Sequence, residues 1–308
     1  MTDRRDVATD GQVVSADGTR IGVRRVGAGQ PVVLVHGSYG GLDSFQAVAE
    51  GLSDGFECWL MARRGHAPSD TPNQANTFAA EVHDVLAVLA AAHDQAGTGR
   101  RAHLVGGSYG ATLALHTALT DPHALGALAL FEPPLFAAGP GLVPVLSQYR
   151  ALLAADDLTG ASRLFAQQVA RAPATLLAGS DDDDPPDGDP DVTSTGTRVP
   201  VDDRDPAGAA VRLRIARAAL HDLEAMTTDS EDVTRWSAIG SPTLVIRWLR
   251  VLVAPSGDDG RARRHPVAGG TGGSGRAEPF RHGYRPRPGH AGAAPVPATL
   301  LLTGGGAA

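Results

Sequence analysis

Apolar residues follow two rhythms along the first half of the chain. Unbroken runs at 31–35, 56–61, 103–105 and 125–131 alternate with stretches whose apolar positions recur every three or four residues, as at Val82, Val85, Leu86 and Leu89. Unbroken runs predict strands covered on both faces, as in a parallel sheet, and the three-to-four spacing predicts amphipathic helices. In order, the pattern predicts two short strands around a turn at Asp17-Gly18 between Gln12 and Arg25, then a strand from Pro31 to Val35. A helix capped by Asp43 or Ser44 then runs to about Leu52, followed by a strand from Phe56 to Met61 and a helix from Phe78 to His93. A strand from His103 leads into an Ala/Leu-rich helix, and another runs from Leu125 to Phe131, closing on Glu132-Pro133-Pro134. Alternating strands and helices imply right-handed crossovers and a mostly parallel sheet, whose site lies beyond the carboxyl ends of the strands. His36, Ser108 and Glu132 all stand at such ends.

Farther on, helices are predicted over 142–153, 161–172 and 210–226, and a strand over 241–246. After Arg247 the periodicity disappears, and 255–308 reads as an irregular tail of Gly, Pro, Arg and Ala. A reading-frame shift in a GC-rich gene would leave such a break after 247, and a second across 174–206. Translating the other frames tests this: they should yield a helix-rich ending with a histidine motif.

The strand from His103 enters Gly106-Gly107-Ser108-Tyr109-Gly110, a G-x-S-x-G turn leading into a helix. Alone, that string more often marks a plain glycine-rich connection. Between a buried strand and an apolar helix it predicts a nucleophile elbow, in which Gly106 and Gly110 make room for a sharp bend that exposes the Ser108 hydroxyl. A serine hydroxyl is too weak an acid to attack a carbonyl at neutral pH, so the turn calls for a histidine base and an orienting acid.

Composition narrows the function classes. With 38 glycines and 22 prolines the chain is rich in turn formers, and its net charge of −7, with arginine as the sole basic residue beside histidine, argues against a nucleic-acid surface. Cys58 is the single cysteine, so no internal disulfide forms, and no Cys/His spacing suggests zinc. Without an apolar leader or an apolar run of membrane-spanning length, the expected setting is cytoplasmic, away from membranes. The acidic run Asp181–Asp191 has carboxylates at intervals that suit calcium. It lacks an ordered ligand pattern and its like charges repel, so a solvated, disordered loop is expected.

Three signals in order carry a resemblance to the α/β-hydrolase family over Gln12 to Pro134: a strand ending in His36-Gly37, the segment Arg64-Gly65-His66-Ala67-Pro68-Ser69, and the elbow at 106–110. The likeness is greatest to actinobacterial-type members carrying D-R-R-G-x-G-x-S, G-H-S-Y-G and L-Y-E-P-P. This chain departs at Ala62, Ala67 and Gly107, the first two of which should loosen the loop under the elbow. The resemblance implies an α/β-hydrolase fold: a mostly parallel sheet, helices on both faces, and an inserted helical cap. Its parts would be a core at 1–138, a cap at 139–235 with the loop 180–206, a core strand within 236–254, and the irregular tail 255–308.

It further implies Ser108 as nucleophile, with the backbone amides of Ser38 and Tyr109 forming an oxyanion hole and His36 bracing the loop. For the acid, Glu132 competes with the late Asp258 and Asp259. For the base, His290 in Pro288-Gly289-His290 competes with His282. The implied activity is hydrolysis of a small ester-like or acyl substrate through an acyl-enzyme, with no metal or organic cofactor and a small molecule as partner. Cofactor-free haloperoxidase-like oxidation or acyl transfer would use the same residues. The contrasting reading is a non-catalytic, hydrolase-derived chain without a working base.

Overall fold

Strands β1 (Thr9–Val14), β2 (Arg20–Gly27), β3 (Gln30–Val35), β4 (Phe56–Met61), β5 (His103–Gly107), β6 (Leu128–Phe131), β7 (Thr243–Ile246) and β8 (Leu301–Thr303) form one sheet in the computed structural model, in the order β1-β2-β4-β3-β5-β6-β7-β8. The structure describes residues 8–71, 76–97, 99–170, 206–246 and 301–303, which fall within one compact unit. Neighbours from β4 through β7 are parallel, and the pairs β1/β2, β2/β4 and β7/β8 are antiparallel. From β3 the chain goes to β4 on one side and then crosses to β5 on the other, so the order reverses at β3. Such a switch point opens a crevice at the carboxyl ends of the two diverging strands.

The unbroken apolar runs have a direct explanation. Val33 and Val35 of β3, with Trp59 and Met61 of β4, join a core with helices α2 (Phe78–Ala96) and α3 (Tyr109–Thr120). The alternate residues Val32, Leu34, Cys58 and Leu60 pack with Leu42, Phe45 and Ala49, from the 3-10 turn Leu42–Phe45 and helix α1 (Gln46–Leu52). Both faces are covered, as continuous apolarity requires. Helix α2 begins where the Thr77 hydroxyl accepts the Ala80 N–H and stops at Gly97, which takes a left-handed φ of 59°. The expected cap at Asp43 or Ser44 does not form. Gly41 caps the 3-10 turn, the Ser44 hydroxyl reaches back to the Gly41 N–H (2.9 Å), and Asp43 pairs with Arg24.

Helices α4 (Val143–Ala154), α5 (Leu158–Gln168) and α6 (Pro206–Thr228) pack on one another against the carboxyl-end loops of the sheet. The Tyr149 hydroxyl donates to the Ala216 carbonyl (3.0 Å), and Arg214 donates to the Ser69 carbonyl (3.1 Å). These helices overlap the three predicted ones. Helix α5 starts before 161 because Asp157 caps it, accepting the Gly160 N–H at 2.7 Å. Within the stretch read as an irregular tail, Leu301–Thr303 forms an antiparallel edge strand on β7. The rest of that tail, and the acidic run 181–191, lie outside the described residues. Among the described residues, no helix is long and apolar enough to cross a membrane.

Candidate active site

The bend after β5 explains both glycines of the G-x-S-x-G string. A Cβ at 106 would run into the Gly110 carbonyl oxygen, and one at 110 into the Val35 carbonyl oxygen, so helix α3 starts hard against β3 and β5. Between them Ser108 takes φ 51° and ψ −119°, outside the comfortable regions for a residue with a side chain. Its N–H is held by the Phe131 carbonyl at 2.8 Å, and its carbonyl accepts from the Ala111 and Thr112 amides at 2.9 and 3.2 Å. The strained turn is thus fixed by β6 on one side and by the first turn of α3 on the other. Tyr109 opens α3, and a first-turn N–H has no acceptor within its own helix.

The loop after β3 comes up against this bend. A Cβ on Gly37 would lie 3.0 Å from the Ser108 Cβ, so the two backbones approach as only glycine allows. His36 is buried, with its Nδ1–H donating to the Gly37 carbonyl at 2.8 Å and its Nε2 accepting the Arg63 N–H at 3.1 Å. Burial, then the neighbouring His66 and Arg63, push its pKa well below the ordinary histidine value, which keeps the ring neutral and Nε2 free to accept. The carbonyl so held belongs to the trans peptide whose N–H is that of Ser38. Fixing one end of that peptide aims the other. Both ring nitrogens of His36 are thereby engaged in bracing the loop.

Beneath the elbow lies a charged cluster that the motif reading does not contain. Arg63 is fully buried and binds Asp222 through two nitrogens (2.8 and 2.7 Å) and Glu81 through one (2.9 Å), while its guanidinium lies 4.3 Å from the centre of the Tyr109 ring. Tyr109 in turn donates its hydroxyl to Glu81 at 2.6 Å, as does the Asn76 amide at 2.6 Å. Burial, with Asp222 adding to it, holds the Glu81 carboxyl above its ordinary range although Arg63 opposes the shift. Arg64 makes the parallel contact, gripping Asp84 with two 2.6 Å bonds. The loop expected to loosen around Ala62 and Ala67 is well tied: Ser69 donates to the Ala62 carbonyl (2.6 Å) and accepts the Gly22 N–H (2.8 Å). A signal for the carboxylates of this cluster stood in the sequence. Glu81 and Asp222 each fall on the apolar stripe of a helix, where a carboxylate requires a buried cation.

Ser108, Tyr109 and the Gly37–Ser38 peptide therefore meet at the β3/β5 crevice. Glu132 stands next to them at the end of β6, with φ 45° and its N–H bonded to the Ile246 carbonyl at 2.9 Å. Since Gly107 pairs with Phe131, Ser108 and Glu132 follow directly on neighbouring strands. His290, His282, Asp258 and Asp259 lie outside the described residues. A separate depression of about 500 Å³, lined by Gln30, Phe56, Arg100 and His103 among others, opens at the amino ends of the strands, away from the serine.

Residues 30–205 match the family model for the alpha/beta hydrolase fold, more than half of the chain. The chain belongs to the alpha/beta hydrolase family. Among curated relatives, this alpha/beta hydrolase is 31% identical over 109 residues to the uncharacterized hydrolase YraK of Bacillus subtilis strain 168, a match covering 35% of this chain and 38% of that one. Among solved structures, an alpha/beta hydrolase from Sphaerobacter thermophilus DSM 20745 superposes with a TM-score of 0.59 at 26% identity, covering 77% of this chain and 81% of that one. A hydrolase from Pseudomonas aeruginosa PA01 shares the fold, with a TM-score of 0.56 at 22% identity and coverage of 77% and 79%.

Proposed function

We propose that this chain hydrolyses a small ester-like or acyl substrate through an acyl-enzyme on Ser108. The observation that carries the reading is the left-handed backbone of a non-glycine residue at the strand-to-helix bend, since such strain persists where the surroundings enforce it and clusters at reactive centres. In this mechanism the Ser108 oxygen attacks the substrate carbonyl and its proton passes to a histidine, His290 or His282, oriented by Glu132 or a late aspartate. The developing oxyanion accepts from the Tyr109 and Ser38 amides, donors that need no reorganisation because the peptide planes are already held. The alcohol or amine leaves with the histidine's proton. Water activated by the same histidine then releases the acid and restores Ser108. Residues 143–168 and 206–228 would act as the cap that shapes the acyl pocket.

The test is hydrolysis of p-nitrophenyl acetate and butyrate by single variants. Ser108→Ala should lower kcat by at least about a thousandfold, with the two histidine variants separating base from bystander by a similar margin. A Ser108→Ala protein that keeps its rate contradicts the proposal. Peroxide-dependent halogenation that exceeds hydrolysis would favour the haloperoxidase-like reading instead.

A further inference from the structure

We propose that helix α6, and Tyr39 and Asp222 as positioning residues acting through it, sets the alignment of the two oxyanion amides, so that the helical layer controls turnover as well as access. This rests on the serine reading above. Each proposed donor adjoins or belongs to a tyrosine that is tied to α6, by two separate routes.

The first route begins at Tyr39, one residue after the Ser38 amide and held at φ 59°. Its hydroxyl lies 2.6 Å from that of Tyr149 on α4, and the Tyr149 proton is committed to the Ala216 carbonyl on α6 at 3.0 Å. Tyr39 is therefore the donor to Tyr149. Its ring also meets Phe165 of α5 edge-on, with centroids 5.3 Å apart. A positive φ is unfavourable for tyrosine, and these contacts, together with the Gly40 N–H bond to the Gly37 carbonyl (3.3 Å), hold the turn in place.

The second route begins at Tyr109, whose own N–H is the other donor. Its ring lies under Arg63 and its hydroxyl is bound by Glu81, while Arg63 is locked by the two-point contact with Asp222 on α6. Arg63 also reaches the first donor, because its main-chain N–H fixes His36, which pins the Gly37 carbonyl. Ala216 and Asp222 are six residues apart on one continuous helix, about 9 Å along its axis. A rigid rod anchored at both points moves both donors together. Removing either anchor should misalign the hole while leaving the space for substrate intact, an effect on the transition state more than on binding.

The experiment compares Tyr39→Phe, Asp222→Asn and their double variant with the unaltered protein. It measures kcat and KM on p-nitrophenyl butyrate, the rate of Ser108 modification by a fluorophosphonate, and Tm. Asp10→Ala serves as control, since it removes only an exposed ion pair to Arg24 on the edge strands, away from the cap and the elbow. Each tether variant should lose about tenfold in kcat and in modification rate, with KM within about twofold. The double variant should lose less than the product of the two, and Asp10→Ala should match the unaltered protein. If folded tether variants keep the full modification rate, or lose only KM, the inference is overturned while the serine reading stands. If the unaltered protein is not modified at Ser108, the serine reading falls and the inference with it. Should Asp222→Asn fail to fold, Tyr39→Phe decides alone, because it deletes one hydroxyl and keeps the ring against Phe165.

Discussion

Ser108 pays for its exposure in backbone energy, and that cost can be measured apart from its chemistry. At φ 51° and ψ −119° a residue bearing a Cβ is strained by about 1–3 kcal/mol, whereas glycine is not. Ser108→Gly and Ser108→Ala both delete the hydroxyl, yet the glycine variant should be the more stable by about 1 kcal/mol in urea unfolding, after its larger unfolded-state entropy is counted. Equal stability, or a more stable alanine variant, would mean that the turn is not under tension. The serine was legible in the sequence because a local string, two glycines around a serine between strand and helix, encodes the bend. Arg63 was not. Its partner Asp222 lies 159 residues away, and a double arginine after a strand looks the same in sequence whether it faces water or a buried carboxylate.

The same distinction holds among elements. Strands β3 to β6 and helices α2 and α3 could be placed from apolar pattern, because both faces of the sheet are covered, α2 shows one stripe to it, and α3 is an Ala/Leu-rich run buried nearly all round. Their exact ends depend on single contacts, such as the reach of Ser44 to Gly41 or Asp157 to Gly160, which rhythm does not report. How helices are clamped was also out of sight. Asp229, just after α6, binds Arg235 twice (2.8 and 2.6 Å) and His116 of α3 at 3.1 Å, and His116 is stacked on Phe78 at 4.3 Å. Although burial alone would raise it, these partners hold the Asp229 carboxyl below its ordinary value of 3.8. A lowered carboxyl contributes stability above its unfolded value and loses it as the pH falls. Asp229→Asn should therefore cost about 1–3 kcal/mol at neutral pH, and the gap from the unaltered protein should begin to narrow below about pH 4. A gap that stays constant down to pH 3 would show that the charge is not what the clamp uses.

At the scale of the molecule, the order β4-β3-β5 gathers the candidate site from distant parts of the sequence. The chain reverses its direction of travel across the sheet at β3, and the Gly37–Ser38 peptide, the Ser108 bend and Glu132 arrive side by side at one rim. That meeting was anticipated from the strand-end positions of His36, Ser108 and Glu132, since a parallel sheet gives every strand end the same rim. The choice between His290 and His282 as the proposed base could not be read that way, because both sit in sequence without periodicity and nothing local distinguishes a base from a surface residue. The central claim, an activated alcohol at that rim, is tested most directly by exposing the full chain to a fluorophosphonate and locating the adduct by mass spectrometry. One adduct per chain on Ser108, absent from a folded Ser108→Ala variant, is the predicted result. A well-folded chain that takes up no label, or carries it on another residue, would contradict the account.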